Sequence, residues 1–202
     1  MEQTMDESRR ALIAENINLL SQLRTLITQT SSSTFQRQHP DLGSGSIGEQ
    51  VRHVLNHYES LLRDCTTVDY ENRTRGSSVE TAPSFALFRI DEISQELQQL
   101  AQGSGPSRVR MPETVTISGQ KRRVHLDSTM ERELSFLASH TTHHLALIRI
   151  LATVAGSRVP SGVGIAKSTQ DYRQSLDQGD GAAQPRPLAA GDVFTGRKRA
   201  ST

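Results

Sequence analysis

The chain has 202 residues, 23 basic and 22 acidic side chains, 34% hydrophobic residues and a single cysteine. One cysteine excludes an intramolecular disulfide framework and a thiolate zinc knuckle, both of which need several sulfurs. A net charge of +1, with basic clusters only in "QKRRVH" and "GRKRAST", supplies no electrostatic footprint for nucleic acid, and no apolar run approaches the roughly 20 residues of a membrane span.

The length predicts one domain of about 150 residues plus tails, or at most two small domains. The mean hydropathy of −0.50 predicts that part of the chain is unpacked. The opening "MEQTMDESRR" lacks the apolar segment of a secretory signal, so the expected location is the cytoplasm, with no membrane and no nucleic-acid partner.

Met5 to about Thr30 predicts the first helix. Leu12, Ile13, Ile17, Leu19, Leu20, Leu23, Leu26 and Ile27 recur mostly at spacings of three and four, with Asp6 as its N-cap. "TQTSSSTFQRQHPDLGSGS" breaks that pattern with Ser, Pro and Gly and reads as a loop. A second helix starts at Ser46, where Ser46 and Glu49 have the form of a capping box, and runs to about Asp64. "TTVDYENRTRGSSVETAPS" reads as a polar connection. Its Asp69, Tyr70, Asn72, Arg73 and Arg75 are able to line a pocket mouth, but the segment reads first as a solvated loop.

A third helix is expected from Pro83 or Ser84 to about Gln102, stopped by Gly103. Short β-branched runs on both sides of "SGQK", from Val109 to Leu126, predict a hairpin. Asp127 or Ser128 is the expected cap of a fourth helix that ends at Gly156. After Pro160 the chain loses its pattern, "GVGIAKSTQDYRQS" remains able to pack on the body, and 177–202, rich in Gly, Ala, Pro and Gln, reads as a disordered tail. Four amphipathic helices with a small β-hairpin between the third and the fourth make an all-α four-helix bundle the simplest architecture, residues 1–176 forming its body.

The chemistry lies in the histidines. His140 and His144 stand at i and i+4 in "ASHTTHHLALIRIL", on one helix face about 6 Å apart. Two imidazoles so spaced can share a metal ion. His143 falls on the neighbouring stripe. "RHVLNHY" supplies a second such pair, His53 and His57, with His53 as the inward position. Bundles build metal sites from inward residues of facing helices. Three imidazoles from two helices leave a fourth position open, the mark of a catalytic metal. The competing reading is a polar layer of hydrogen-bonded histidines and water.

"SIGEQVRHVLNHYESLL" and "LSFLASHTTHHLALIRIL" resemble the second and the HxxxH helices of the DinB-like (YfiT-like) metal-dependent four-helix bundles, over about Ala11 to Gly156. The resemblance implies metal ligands at His53, His140 and His144, and a divalent ion: zinc first, with nickel, manganese or iron as substitutes. Where the family often has a polar group after the last ligand, Leu145, Ala146 and Leu147 are apolar, which leaves His57 or His143 to orient a ligand. Gly45 replaces the family's frequent Trp. The implied function is thiol-dependent group transfer to a small electrophile, with a low-molecular-weight thiol such as mycothiol, bacillithiol or glutathione as cosubstrate. Hydrolysis by an activated water and a non-catalytic helical metal-binding module are the alternatives. The partner is a small-molecule substrate, and a homodimer would suit a bundle with apolar flanks.

Overall fold

A computed structural model describes residues 2–40, 45–72, 76–103, 105–165 and 167–177, with the backbone alone at 2–6 and 167. The described residues are mostly helical, with one small two-stranded antiparallel sheet among them. It divides into a body, Met1–Ala166, and a C-terminal unit that begins at Lys167.

Helix α1 (Glu2–Thr28) starts four residues before Asp6, which therefore lies inside it and not at its cap. Ile13, Asn16, Leu20, Leu23 and Ile27 are buried along it, at the alternating three- and four-residue steps that keep side chains on one face. Two short helices interrupt the segments read as connections. In α2 (Ser32–Gln36), Ser31 caps the Thr34 amide and Phe35 is fully buried. The second, α4 (Ser78–Thr81), buries Val79. Each has one apolar residue anchored in the core, too few to show a period in the sequence.

Between them α3 (Ile47–Arg63) opens on the expected capping box: the Ser46 hydroxyl accepts from the Glu49 amide at 3.1 Å, and the Glu49 carboxylate accepts from the Ser46 amide at 3.0 Å. Gly48 lets α4 approach, because a Cβ there would stand 2.0 Å from the Glu80 carbonyl oxygen. Helix α5 (Pro83–Gln102) begins with proline at its first turn and ends at Gly103, the asymmetry expected of helix termini.

Strands β1 (Arg108–Ile117) and β2 (Gln120–Thr129) pair antiparallel, joined by the two-residue turn Ser118–Gly119 with φ of 50° and 78°. Positive φ at both positions matches the twist of the strands. Segment 66–68 adds to the other edge of β1: the Arg110 amide donates to the Thr66 carbonyl at 2.8 Å and the Val68 amide donates to the Arg110 carbonyl at 2.9 Å.

Helix α6 (Met130–Val154) follows β2 without a loop. Its cap is Thr129, whose hydroxyl accepts from the Arg132 amide at 3.2 Å. The expected cap, Asp127 or Ser128, is displaced because the ladder continues through both residues to the pair Thr129 with Arg108.

Helices α1 and α3 each pack against both α5 and α6. At the centre, Tyr58 of α3 donates to the Asn16 side-chain oxygen of α1 at 2.8 Å and lies 3.0 Å from the Thr141 hydroxyl of α6. Asn16 in turn donates to the Leu12 and Leu134 carbonyls. One polar node thus joins three helices inside a mainly apolar core, with its buried groups hydrogen-bonded.

The body runs to Ala166. The turns around Gly162 and Gly164, both at positive φ, break the chain there. The C-terminal unit is described only as α7 (Lys167–Asp177); the expected tail lies, from residue 178 on, outside the described residues. Among the described residues no helix is long and apolar enough to cross a membrane.

Candidate metal centre

Helix α3 carries His53 and His57, and α6 carries His140 and His144, each pair one turn apart. The neighbours Val54, Tyr58, Leu137, Thr141 and Leu145 are buried, and this holds the two histidine stripes toward one another. The His53 ring lies 4.6 Å from that of His57, 4.9 Å from His140 and 4.5 Å from His144. His140 lies 4.1 Å from His57 and 4.4 Å from His144. All three sequence-expected ligands, His53, His140 and His144, are thus in ring contact, and His57 joins them. His143 is exposed and touches only the flank of the group, 5.2 Å from His144.

One ring nitrogen from each of His53, His57 and His140 lies within 4.8 Å of the other two, and the expected ligand His144 is not in this set. Three histidines so close could hold a metal ion. Zinc–nitrogen bonds of about 2.0–2.1 Å put tetrahedral ligand atoms roughly 3.4 Å apart, so modest ring rotations would close the set. A donor set of neutral imidazoles suits a borderline ion such as zinc, copper, nickel or iron and not calcium or magnesium, which take oxygen.

Hydrogen bonds assign two of the tautomers. The His57 Nδ1 atom lies 2.8 Å from the His53 carbonyl oxygen, and the His144 Nδ1 atom lies 2.7 Å from the Gln50 side-chain oxygen. Both oxygens only accept, so each Nδ1 carries the proton and each Nε2 carries the lone pair. A metal-binding imidazole is commonly oriented by such a bond at its other nitrogen. Burial, then the neighbouring His53, His143 and His57, push the His144 pKa down to about 3. His144 therefore stays in the neutral form that binds metals.

An aromatic and acidic layer supports the group. Phe136 stacks on His140 at 5.5 Å and 12° between planes, and Tyr70 stacks on His57 at 5.1 Å and 21°. The Tyr70 hydroxyl donates to Glu133 at 2.9 Å. Glu133 is fully buried, and also accepts from the Ser128 hydroxyl at 2.5 Å and the Arg132 guanidinium at 2.9 Å. Three donors, one of them charged, make burial of this carboxylate tolerable. Burial and then the Glu133 charge push the Tyr70 phenol far up, so it remains a donor and never a phenolate.

A cleft of about 490 Å³ opens between this layer and the hairpin, walled by His57, Tyr70, Phe136, Arg132, Met111 and Leu126. His57 is the one histidine on its wall. Of the loop residues read as a solvated connection, Tyr70 faces the cleft, Asp69 pairs with Arg123 at 2.7 Å, Asn72 is exposed, and Arg73 and Arg75 lie outside the described residues. Cys65 is half-buried, and burial followed by the Asp64 charge pushes its thiol up, which keeps it protonated and poorly nucleophilic.

Sequence reasoning passed over Gln50, Glu133 and Phe136. A signal existed. Gln50, His53 and His57 fall at steps of three and four, as do Glu133, Phe136, His140 and His144, so each set shares one helix face.

No family model and no solved structure matches the chain. It is similar to FK506-binding protein 5 of Rhizopus delemar, at 28% identity over 154 residues, which cover 70% of this chain and 40% of that protein. The chain thus spans about two fifths of the length of the curated relative it matches.

Proposed function

We propose that the protein is a metal-dependent enzyme of the DinB-like class, in which His53, His140 and His144 hold a divalent ion, zinc first among the candidates. The observation that carries this reading is the convergence of four imidazoles from α3 and α6 beside a cleft large enough for a small substrate. The packing of α1 and α3 each against α5 and α6 supports a DinB-like four-helix bundle.

A divalent ion in such a site lowers the pKa of a coordinated thiol or water, so that either becomes a nucleophile near neutral pH. The chain's own residues do the rest. Gln50 accepts from the His144 Nδ1 proton and so leaves the Nε2 lone pair available. Phe136 and Tyr70 exclude water from one side of the rings and give an electrophile's apolar part a flat wall. Arg132, engaged by Glu133 and lying 5.6 Å over the Phe136 ring, presents its outer N–H groups to a developing negative charge. The reaction class is group transfer from a low-molecular-weight thiol to a small electrophile in the cytoplasm.

Metal content of the purified protein, zinc titration and a thiol-transferase screen of the loaded protein test the reading. Tight zinc binding that His53→Ala and His140→Ala both abolish is the expected result. Equal zinc affinity in wild type and both variants refutes it. Turnover of activated esters without thiol would move the assignment to a hydrolase, and a bound metal inaccessible to thiol, azide or cyanide would make the site structural.

A further inference from the structure

The histidine group contains two overlapping triples. His53 and His140 belong to both. His144 joins them by ring contact on the side of Gln50, and His57, which brings a ring nitrogen within 4.8 Å of both, joins them on the side of the cleft. The two flanking residues differ in how they are held. Both are buried, His144 8% and His57 6% exposed, but His144 is bonded to a side chain of the facing helix, 94 positions away. His57 bonds the carbonyl one turn back on its own helix, a partner that travels with it. Its ring has the Tyr70 face 5.1 Å away, nearly parallel, and forms part of the cleft wall.

We infer that His57 is an exchangeable fourth ligand. With an ion held by the group, its Nε2 would fill a position on the cleft side, and an incoming thiol or anion would take that position as the imidazole turns away while keeping its face to Tyr70. The inference rests on the metal reading above. Its logic is intramolecular competition. A ligand carried on the same helix as His53 has a high effective concentration at the ion, so external ligands must outcompete it. The ion is thereby shielded from adventitious thiols until a substrate that also fills the cleft contributes further binding. The bond to the His53 carbonyl keeps the His57 proton on Nδ1, so Nε2 is the donor whenever the ring turns inward.

Cobalt(II) titration tests this, because its visible absorption reports coordination number and a near-ultraviolet band reports a bound thiolate. Wild type, His57→Phe, His57→Ala, His144→Ala and His140→Ala are loaded with cobalt and titrated with 2-mercaptoethanol. Phenylalanine keeps a ring against Tyr70, so His57→Phe separates ligand loss from packing loss. Three histidines remain in both His57 variants, so their cobalt affinity should fall about tenfold or less, whereas loss of a permanent ligand costs more than the roughly 10–100-fold typical of a supporting partner. The thiolate band should appear at a thiol concentration at least about tenfold lower than in wild type, the competitor having been removed. Unchanged thiol titration in both His57 variants would show that His57 is not on the ion. A loss of cobalt affinity equal to that of His140→Ala would show that it is a permanent ligand. Either overturns the inference while leaving the metal centre standing; a wild type that binds no cobalt or zinc removes the metal centre itself.

Discussion

Tyr58→Phe probes the node that ties α1, α3 and α6 together. The hydroxyl donates to the Asn16 oxygen at 2.8 Å and lies 3.0 Å from the Thr141 hydroxyl, and Tyr58 and Asn16 are 0% exposed. Removing the phenolic oxygen leaves the ring's packing intact. It strips the Asn16 oxygen of its donor in a place water does not reach, while the Asn16 amide keeps its two carbonyl acceptors. Thr141 can turn its hydroxyl back toward its own helix, so one orphaned acceptor is the main cost. Leaving one buried group unsatisfied costs about 1–3 kcal/mol. For a protein of this size that shifts the melting temperature by roughly 2–4 °C per kcal/mol. Urea unfolding followed by circular dichroism should show a lower midpoint with unchanged slope. Double substitution with Asn16→Leu should cost less than the sum of the singles, since each removes the other's unmet partner. A Tyr58→Phe variant within about 0.5 kcal/mol of wild type would refute the reasoning, for that is the range of neutral surface changes.

Gly48→Ala should destabilise by about 1–3 kcal/mol, the usual range for overpacking, because the new Cβ meets the Glu80 carbonyl oxygen at 2.0 Å; the same urea series measures it. Gln50→Leu should weaken zinc binding about 10–100-fold by releasing His144, read by competition with a chelating dye, with little change in unfolding. The metal-free protein should lose stability as pH falls below 6.5. There the unfolded chain's His144 takes up a proton that the folded state, with its value near 3, refuses, so the unfolded state binds more protons and acid favours it. Stability in urea measured from pH 7.5 to 5 should decline, and His144→Gln should flatten the decline; equal slopes in the two proteins would count against the assignment.

Periodic and paired features were legible in the sequence. The capping box of Ser46 and Glu49, the hairpin around Ser118 and Gly119, and the two HxxxH stripes each repeat a local rule, and a local rule needs no knowledge of the fold. Helices α2 and α4 escaped because Phe35 and Val79 each stand alone among polar residues and acquire their role only from the core that receives them. Tyr70 looked like part of a solvated loop. What draws it in is Glu133, 63 positions away, an acid that a sequence reader assigns to a surface. Thr129 lost to Asp127 and Ser128 as a cap because ladder length depends on the partner strand. In each case a long-range partner decided the outcome.

The absence of any loop between β2 and α6 has a consequence of phase. A strand repeats every two residues and a helix every 3.6, and Thr129 is where one counting scheme hands over to the other. Side chains on both sides of that joint belong to the site: Leu126 and Phe136 wall the cleft, and Glu133 and His140 share the helix face of Phe136. Adding or deleting one residue at the joint would turn the helix by about 100° relative to the strand, or else reverse the faces of the strand. Either the wall or the histidines would then point the wrong way. Length is tolerated at the Ser118–Gly119 tip, which sets no such relation, so the hairpin can grow or shrink at its far end while its root stays fixed to the residue.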